Sequence, residues 1–294
     1  MFTEQFLVEQ FDFVRLMSTV RLACDVAIKS PRSFFVFVDR YAHWNGYAGS
    51  LIAALAGNIG LSQTLFVDRD EPDQMQAVRG LDVASAVFAA TVDEHSDQGH
   101  RVPHKTLAQA MRKAAGDYAG LSLAERNELS NPPAWLRDLL GKTVTGYVGA
   151  PDDVKRLATA LGFHVASEIL ADREYSMIDT VVRGELMNEG FYQYLKERDY
   201  RVELRGARIH AYAWITLHGT HKGHGVEHEH FVDALRALDL AARYLPVERS
   251  QTEEWALSGF RTFVDLQQTF FTEVARECAA VNGNGRRELP AHVA

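Results

Sequence analysis

Residues 218–235 read HGTHKGHGVEHEHFVDAL, and this stretch combines a dense set of potential metal ligands with the start of a late helix. From Val226 onward, apolar residues recur at helical spacing as far as Tyr244, which predicts an amphipathic helix over 226–244. Glu227 and His230 are three residues apart and therefore share one face of that helix. Carboxylate and imidazole donors at this spacing suit Fe(II), Mn(II) or Zn(II). The alternative is an exposed run of histidines that binds metal only adventitiously.

Helical periodicity also dominates the sequence on both sides of this stretch. It predicts helices over residues 2–27, 34–59, 72–92, 103–115, 151–184, 187–198, 206–217, 226–244 and 253–281. We find no convincing strand run, internal repeat or low-complexity linker. The sequence therefore predicts an all-α protein, with one helical bundle over residues 1–282 and a flexible tail over 283–294.

Composition excludes several classes of function. The chain of 294 residues has a formal net charge of -8, and its basic residues are scattered among acidic ones, which argues against nucleic-acid binding. The longest apolar stretch, Tyr47–Ile59, is too short to span a bilayer, and the N-terminus does not resemble a signal peptide. The two cysteines, Cys24 and Cys278, cannot form a disulfide framework, so we expect a soluble protein of the cytoplasm.

A second group of potential ligands lies in DEHSDQGHRVPH, residues 93–104. Glu94 is expected to end one helix and His104 to begin the next, so that their side chains can converge across a short loop. Asp93, His95, Asp97 and His100 lie nearby. The alternative is an ordinary polar loop exposed to solvent.

A third group lies in GFHVASEILADRE, residues 162–174. His164 and Glu168 are four residues apart and share one helical face. Glu168 has apolar neighbours on both sides, and a buried carboxylate is costly unless it is paired or bound to a cation. The alternative is that Glu168 points outward. Glu174 and Arg173, further along, are expected to be surface charges.

Together the three groups supply carboxylates and imidazoles from separate helices without a cysteine, which suits nonhaem iron better than structural zinc. In their order, VDEHSDQGHRVPH, then VASE, then HGVEHEH, they resemble the haem-oxygenase-like diiron oxidases and oxygenases. The resemblance covers residues 33–244 and implies a haem-oxygenase-like helical bundle.

The resemblance also implies a ligand set. Five ligands would be Glu94, His104, Glu168, Glu227 and His230. The family places a sixth ligand, a histidine, four residues before the late carboxylate, where this chain has Gly223. His224 is the nearest candidate, His221 the second and His228 the third.

Members of this family use two Fe(II) ions and O2 on small molecules, so the resemblance implies those cofactors. N-oxygenation of an amine or an amino-acid-derived substrate is the first expectation. Desaturation or C–C cleavage of an amino or fatty acid is the second. An external electron donor and a homodimer are further expectations.

A metal-independent protein of the same fold, similar to pyrroloquinoline-quinone synthase or to thiaminase, is the main alternative. A thiaminase-like reaction would need a nucleophilic cysteine in the pocket, and neither Cys24 nor Cys278 is near the predicted site in sequence. A helical scaffold with an incidental histidine cluster is the remaining possibility.

Overall fold

The computed structural model describes residues 2–71, 76–96, 101–184, 190–219 and 226–283. Its helices in chain order are α1 (Glu4–Gln10), α2 (Phe13–Ala27), α3 (Pro31–Asn45), α4 (Ala48–Leu61), α5 (Gln76–His95), α6 (His104–Tyr118), α7 (Leu123–Leu129), α8 (Ala134–Val148), α9 (Val154–Asp179), α10 (Phe191–Glu197), α11 (Ala213–His218), α12 (Val226–Tyr244) and α13 (Arg249–Val281). A π-helical turn (Thr180–Gly184) extends α9, and one hairpin joins β1 (Arg201–Leu204) to β2 (Ala207–His210). The protein is thus all-α, as predicted.

Local sequence signals set several helix starts. Ser122 and Glu125 form a reciprocal capping box at the start of α7, in which each side chain accepts the other residue's backbone N–H. Side chains of Thr3, Asp12, Ser30 and Asp153 cap α1, α2, α3 and α9 in a similar way. The predicted helix over 226–244 has the observed bounds of α12.

Three predictions of secondary structure were wrong. The helix predicted over residues 2–27 is divided into α1 and α2, since Asp12 between them has a positive φ and caps α2. The helix predicted over residues 206–217 is replaced by β2 and the short α11, because Arg205 and Gly206 both have positive φ and close a two-residue hairpin turn. The helix predicted over 34–59 is divided into α3 and α4, since the chain turns at Gly46 and Tyr47. Residues 284–294, most of the predicted tail, lie outside the described residues.

Helix α9 lies at the centre of the bundle and packs against α13, α12, α8, α2 and α11. Its sixteen buried residues occur on all faces of the helix, as expected for a helix surrounded by others. In the part of the chain that the structure describes, no helix is both long and apolar enough to cross a membrane.

Glycines allow α9 and α13 to cross at very short range. A methyl group at Gly162 would collide with the backbone oxygen of Ala256, and one at Gly259 would collide with the backbone oxygen of Thr159. Because both methyl groups would collide with backbone atoms, rotation of a side chain cannot relieve either collision. This crossing fixes the position of the helix that carries Glu168.

We predict that Gly162→Ala or Gly259→Ala lowers the free energy of unfolding by about 3 kcal/mol or more, because the helices must move apart. Gly141→Ala is the matched control, since Gly141 is an exposed glycine within α8 with no atom near its added methyl group. The control should raise stability by about 0.5–1 kcal/mol through helix propensity. Urea unfolding followed by circular dichroism measures the free energy of unfolding of all three variants. Equal changes in Gly162→Ala, Gly259→Ala and Gly141→Ala would contradict the close crossing.

Candidate metal centre

Four helix ends and the middle of α9 bring the site residues together. Glu94 lies in the last turn of α5, and His104 is the first residue of α6. His218 is the last residue of α11, and Glu227 lies in the first turn of α12. Glu168 comes from the middle of α9 and lies close to Glu227. The site is therefore built where two pairs of helix ends meet the central helix.

These side chains form two groups that could each hold a metal ion. The first group contains Glu94, His104 and His218, and the second contains Glu168, Glu227 and His230. Within each group the potential ligand atoms lie within 4.8 Å of one another. All of these residues are buried except Glu94, which is half-buried.

In the first group, three potential ligand atoms face one another. Nδ1 of His104 is 3.0 Å from Oε1 of Glu94 and 2.9 Å from Nε2 of His218. Nδ1 of His218 donates to the carbonyl oxygen of Trp214 at 2.5 Å, which directs Nε2 towards the group. A cation fits this arrangement, because His218 offers a lone pair on Nε2 once that nitrogen has lost its proton, while Nδ1 still donates to Trp214.

In the second group, His230 lies between carboxylates. Its Nδ1 is 3.5 Å from Oε2 of Glu168 and 3.5 Å from Oε2 of Glu227. Its Nε2 is 3.4 Å from Oδ2 of Asp93 on α5. A carboxylate behind a histidine orients the ring and makes the other nitrogen a better ligand.

Glu227 connects the two groups. Its Oε1 lies 3.6 Å from Nε2 of His218, whereas its Oε2 lies 3.5 Å from Nδ1 of His230. One carboxylate thus presents one oxygen to each group. This is the geometry expected of a residue that bridges two ions.

Glu168 is held by a hydrogen-bonded network on its other side. Its Oε1 accepts from the Tyr147 hydroxyl at 3.3 Å and lies 3.1 Å from Nδ1 of His164. The Tyr147 hydroxyl also contacts His164 Nδ1 at 2.7 Å and Ser167 Oγ at 2.8 Å. Oε1 is therefore engaged by neighbouring side chains, while Oε2 is directed at His230.

Burial and these contacts shift several pKa values in opposite directions. Burial raises the pKa of Glu94, but hydrogen bonds from His104 and His218 outweigh it and lower that pKa to about 2. Burial lowers the pKa of His230, but Glu168 and Glu227 outweigh it and raise that pKa to about 11. His230 is thus protonated in the metal-free site, and a bound cation would displace that proton.

The structure brings together five of the six residues predicted from the sequence, and it adds His218. Whether they bind metal remains a prediction. His224 and His221 lie outside the described residues, and His228 is on α12 but belongs to neither group. His218 was not predicted as a ligand, because it precedes Glu227 by nine residues and no helical spacing links the two. The feature of the sequence that could have identified it is its position at the end of the apolar run AYAWITLH.

A cavity of about 200 Å³ reaches the site. Five of the six site residues border it, namely Glu94, His104, Glu168, His218 and Glu227. Its remaining wall mixes small, polar and aromatic residues, and the aromatic ones are Trp44, Tyr147, Tyr175, Trp214 and Phe263. Such a cavity can enclose a small molecule beside the site.

Glu174 is a further buried carboxyl group that borders the cavity, and it belongs to neither group of potential ligands. Its Oε2 accepts from the Tyr41 hydroxyl at 3.0 Å, and its Oε1 accepts from Nε2 of Gln267 at 2.7 Å. Burial raises the pKa of Glu174 to about 7, and the two hydrogen bonds only partly oppose this. The prediction that Glu174 is a surface charge was wrong, because other helices surround α9 and bury this side chain.

Comparisons with known proteins support the fold. No family model and no curated protein match the chain. The chain is similar in structure to a CADD-like protein of unknown function from Nostoc punctiforme, with a TM-score of 0.55 and 15% sequence identity. The match covers 93% of this chain and 97% of the other, so the similarity extends over the whole bundle.

We predict that Glu174→Gln stabilises the metal-free protein at pH 8 but has little effect at pH 4.5. The ordinary pKa of 4.5 is raised to about 7 on folding, so wild type loses stability as the pH rises through this interval. The loss reaches about 3 kcal/mol above pH 7, since a tenfold change in acidity corresponds to about 1.4 kcal/mol. A neutral glutamine avoids this loss.

Chemical unfolding of both proteins with a chelator present, at several pH values, measures the effect. The exposed Glu229→Gln is the control and should follow wild type at each pH. A stability difference between Glu174→Gln and wild type that does not change with pH would contradict the assignment.

Proposed function

We propose that the chain is a nonhaem diiron oxygenase or oxidase that activates O2, and that it belongs to the haem-oxygenase-like diiron family. The observation that carries this proposal is the pair of buried groups, each with carboxylate and imidazole donors, joined by Glu227. The fold shared with a CADD-like protein is consistent with it. The order of the three ligand motifs along the chain, VDEHSDQGHRVPH, then VASE, then HGVEHEH, gives further support.

The donor set favours iron or manganese over a structural zinc ion. Three carboxylates and three histidines supply mixed oxygen and nitrogen ligands, which suit Fe(II) or Mn(II). A structural zinc site would use four ligands, usually with cysteine. Each group here supplies three residues and borders a cavity, so positions would remain open for O2 and substrate.

In this proposal Glu94, His104 and His218 would hold one iron, Glu168 and His230 the other, and Glu227 would touch both. The two Fe(II) ions would supply the electrons that O2 requires. The surrounding residues have separate tasks. Asp93 orients His230, the Trp214 carbonyl orients His218, and Tyr147 with His164 holds Glu168.

The substrate we propose is a small amine or an amino-acid-derived molecule, and the reaction is N-oxygenation. Glu174 supports this choice, because a carboxyl group at the edge of the cavity can accept hydrogen bonds from an amine. Lys105 also borders the cavity, where its ammonium group could pair with a substrate carboxylate. Desaturation or C–C cleavage of such a molecule is the alternative, and mass spectrometry of the product distinguishes oxygen gain from hydrogen loss.

A metal-independent, thiaminase-like reaction receives no support from the cysteines. Cys24 and Cys278 are both buried, and neither is among the residues around the cavity. Burial raises the pKa of both thiols, which disfavours the reactive thiolate.

The proposal predicts two Fe(II) ions per wild-type chain in an anaerobic titration, followed by rapid O2 uptake. Glu94→Ala should bind about one ion, because only the first group loses a ligand. Glu227→Ala should lose most of both iron ions, because the two carboxylate oxygens of Glu227 face one group each. Colorimetric iron analysis after desalting and an oxygen electrode measure these quantities.

Glu229→Ala is the matched control, since Glu229 is exposed on the same helix two residues away. It should bind iron and consume O2 as wild type does. If Glu227→Ala and Glu229→Ala bind the same amount of iron, the proposed centre is wrong. If wild type binds two ions but consumes no O2, the metal site stands and the oxygenase function fails.

A further inference from the structure

Among the residues that the structure describes, six acidic side chains are buried, and five of them have a basic partner. The five pairs are Asp39–Arg40, Asp68–Arg243, Asp179–Arg183, Glu168–His230 and Glu227–His230. The sixth is Glu174, and within the described part of the chain no lysine, arginine or histidine lies at ion-pair distance from it. A buried carboxylate without a positive partner is costly, so Glu174 differs from the other five.

Two neutral donors hold Glu174 in place. The Tyr41 hydroxyl on α3 donates to Oε2, and the Gln267 amide on α13 donates to Oε1. An ionised carboxylate has about four lone-pair sites, so each oxygen keeps one site for a further partner. Tyr41 and Gln267 are both buried, and they therefore fix the orientation of the carboxyl group without supplying a charge.

The titratable groups that surround Glu174 also lack a positive charge. They are Cys24 on α2, Tyr41 on α3, the adjacent Tyr175 on α9 and Glu227 on α12. Burial is the main cause that raises the pKa of Glu174 to about 7, and the negative charge of Glu227 acts in the same direction. A proton can thus be gained or lost by this carboxyl group near neutral pH.

Glu174 is also accessible to a molecule in the cavity. Four acidic residues border that cavity among the described residues, namely Glu94, Glu168, Glu174 and Glu227. Three of them belong to the two groups of potential metal ligands, and Glu174 belongs to neither. A carboxyl group with free lone pairs and no basic partner therefore faces the space where a substrate would lie beside the candidate metal centre.

We propose that Glu174 is a catalytic base, which removes a proton from the ammonium form of the substrate amine before the nitrogen is oxygenated. An N–H bond of the ammonium breaks, and the proton forms a bond with a free lone pair on a carboxylate oxygen of Glu174. The electron pair of the broken bond stays on nitrogen, so the step needs no oxidant or reductant. This role rests on the amine substrate proposed above and adds the protonation state in which that amine reacts.

The need for a base follows from the chemistry of amines. An alkyl amine similar to the lysine side chain has a pKa of about 10, so it reaches the protein as an ammonium ion without a lone pair. Burial lowers the pKa of such an amine, to about 5–6 in buried lysines. Inside the cavity the proton therefore moves to Glu174, because a neutral acid and a neutral amine are easier to bury than two charges.

Binding of benzylamine to the metal-free protein tests this role without iron. At pH 8 the nitrogen of bound ¹⁵N-benzylamine should give the NMR signal of a neutral amine, whereas the free ligand is an ammonium ion. Glu174→Gln should bind benzylamine at least about tenfold more weakly, because the proton acceptor is lost. Benzyl alcohol, which has no proton to give up, should bind both proteins equally. Glu229→Gln, at an exposed position, is the matched control and should behave as wild type.

Calorimetry in two buffers of different ionisation enthalpy counts the protons released on binding. Wild type should release about one proton per benzylamine at pH 5.5, where Glu174 already holds a proton. At pH 8.5 it should release none, because the carboxylate takes up the proton of the ammonium. Tyr41→Phe removes one donor to the carboxylate, which raises the pKa of Glu174 and should move this change to higher pH. A structural role for Glu174 would not produce such a shift.

A bound nitrogen that remains an ammonium ion would overturn the proposal, since Glu174 would then be only a charge partner. So would a failure of benzylamine to bind wild type, or a proton count that does not change with pH. Circular dichroism checks the fold of each variant. If Glu174→Gln is unfolded, the nitrogen signal of wild type and the proton count of Tyr41→Phe decide.

Iron binding separates this proposal from the proposed metal centre. Glu174→Gln should take up two Fe(II) ions in the anaerobic titration, as wild type does, because Glu174 belongs to neither group of ligands. Loss of an iron ion in this variant would mean that Glu174 holds a metal, and the role as a base would fail. If wild type binds no iron but shows the expected nitrogen signal and proton counts, the metal centre fails while the proton transfer stands.

Discussion

The buried carboxylate of Glu227 is the constraint on which the rest of the site depends. It presents one oxygen to His218 and the other to His230, at 3.6 and 3.5 Å, and it is 4% exposed. A carboxylate in such a place must be compensated by positive charge. In the metal-free protein, protonated histidines provide it. The raised pKa values of His218 and His230 are the consequence.

The bundle is arranged so that these charges converge. Glycines 162 and 259 allow α9 and α13 to cross at close range, which places Glu168 in the middle of the molecule. The adjoining ends of α5 and α6 and of α11 and α12 then carry the other site residues to this region. Because each pair of helix ends contributes a carboxylate and an imidazole, the fold supplies balanced donor sets, and a divalent cation could replace the protons that they now share.

The sequence predicted what local patterns encode. Periodicity was enough for the all-α class and for the bounds of α12, and the apolar surroundings of Glu168 pointed correctly to its burial. Prediction from the sequence failed where tertiary packing determines which residues meet. His218 joins the site although it precedes Glu227 by nine positions, and neither helical spacing nor adjacency indicates that contact. The hairpin was missed because its strands are only four residues long. Glu174 was taken for a surface charge because α9 has apolar neighbours on all sides, so no polar face could be identified.

Anomalous diffraction at the iron absorption edge, from crystals loaded with Fe(II) without oxygen, tests the central claim most directly. The account predicts two separate iron peaks on opposite sides of the Glu227 carboxylate. One should lie among Glu94, His104 and His218, and the other between Glu168 and His230. A single peak, an iron bound by His224 or His221 in place of His218, or no iron within these groups would contradict it.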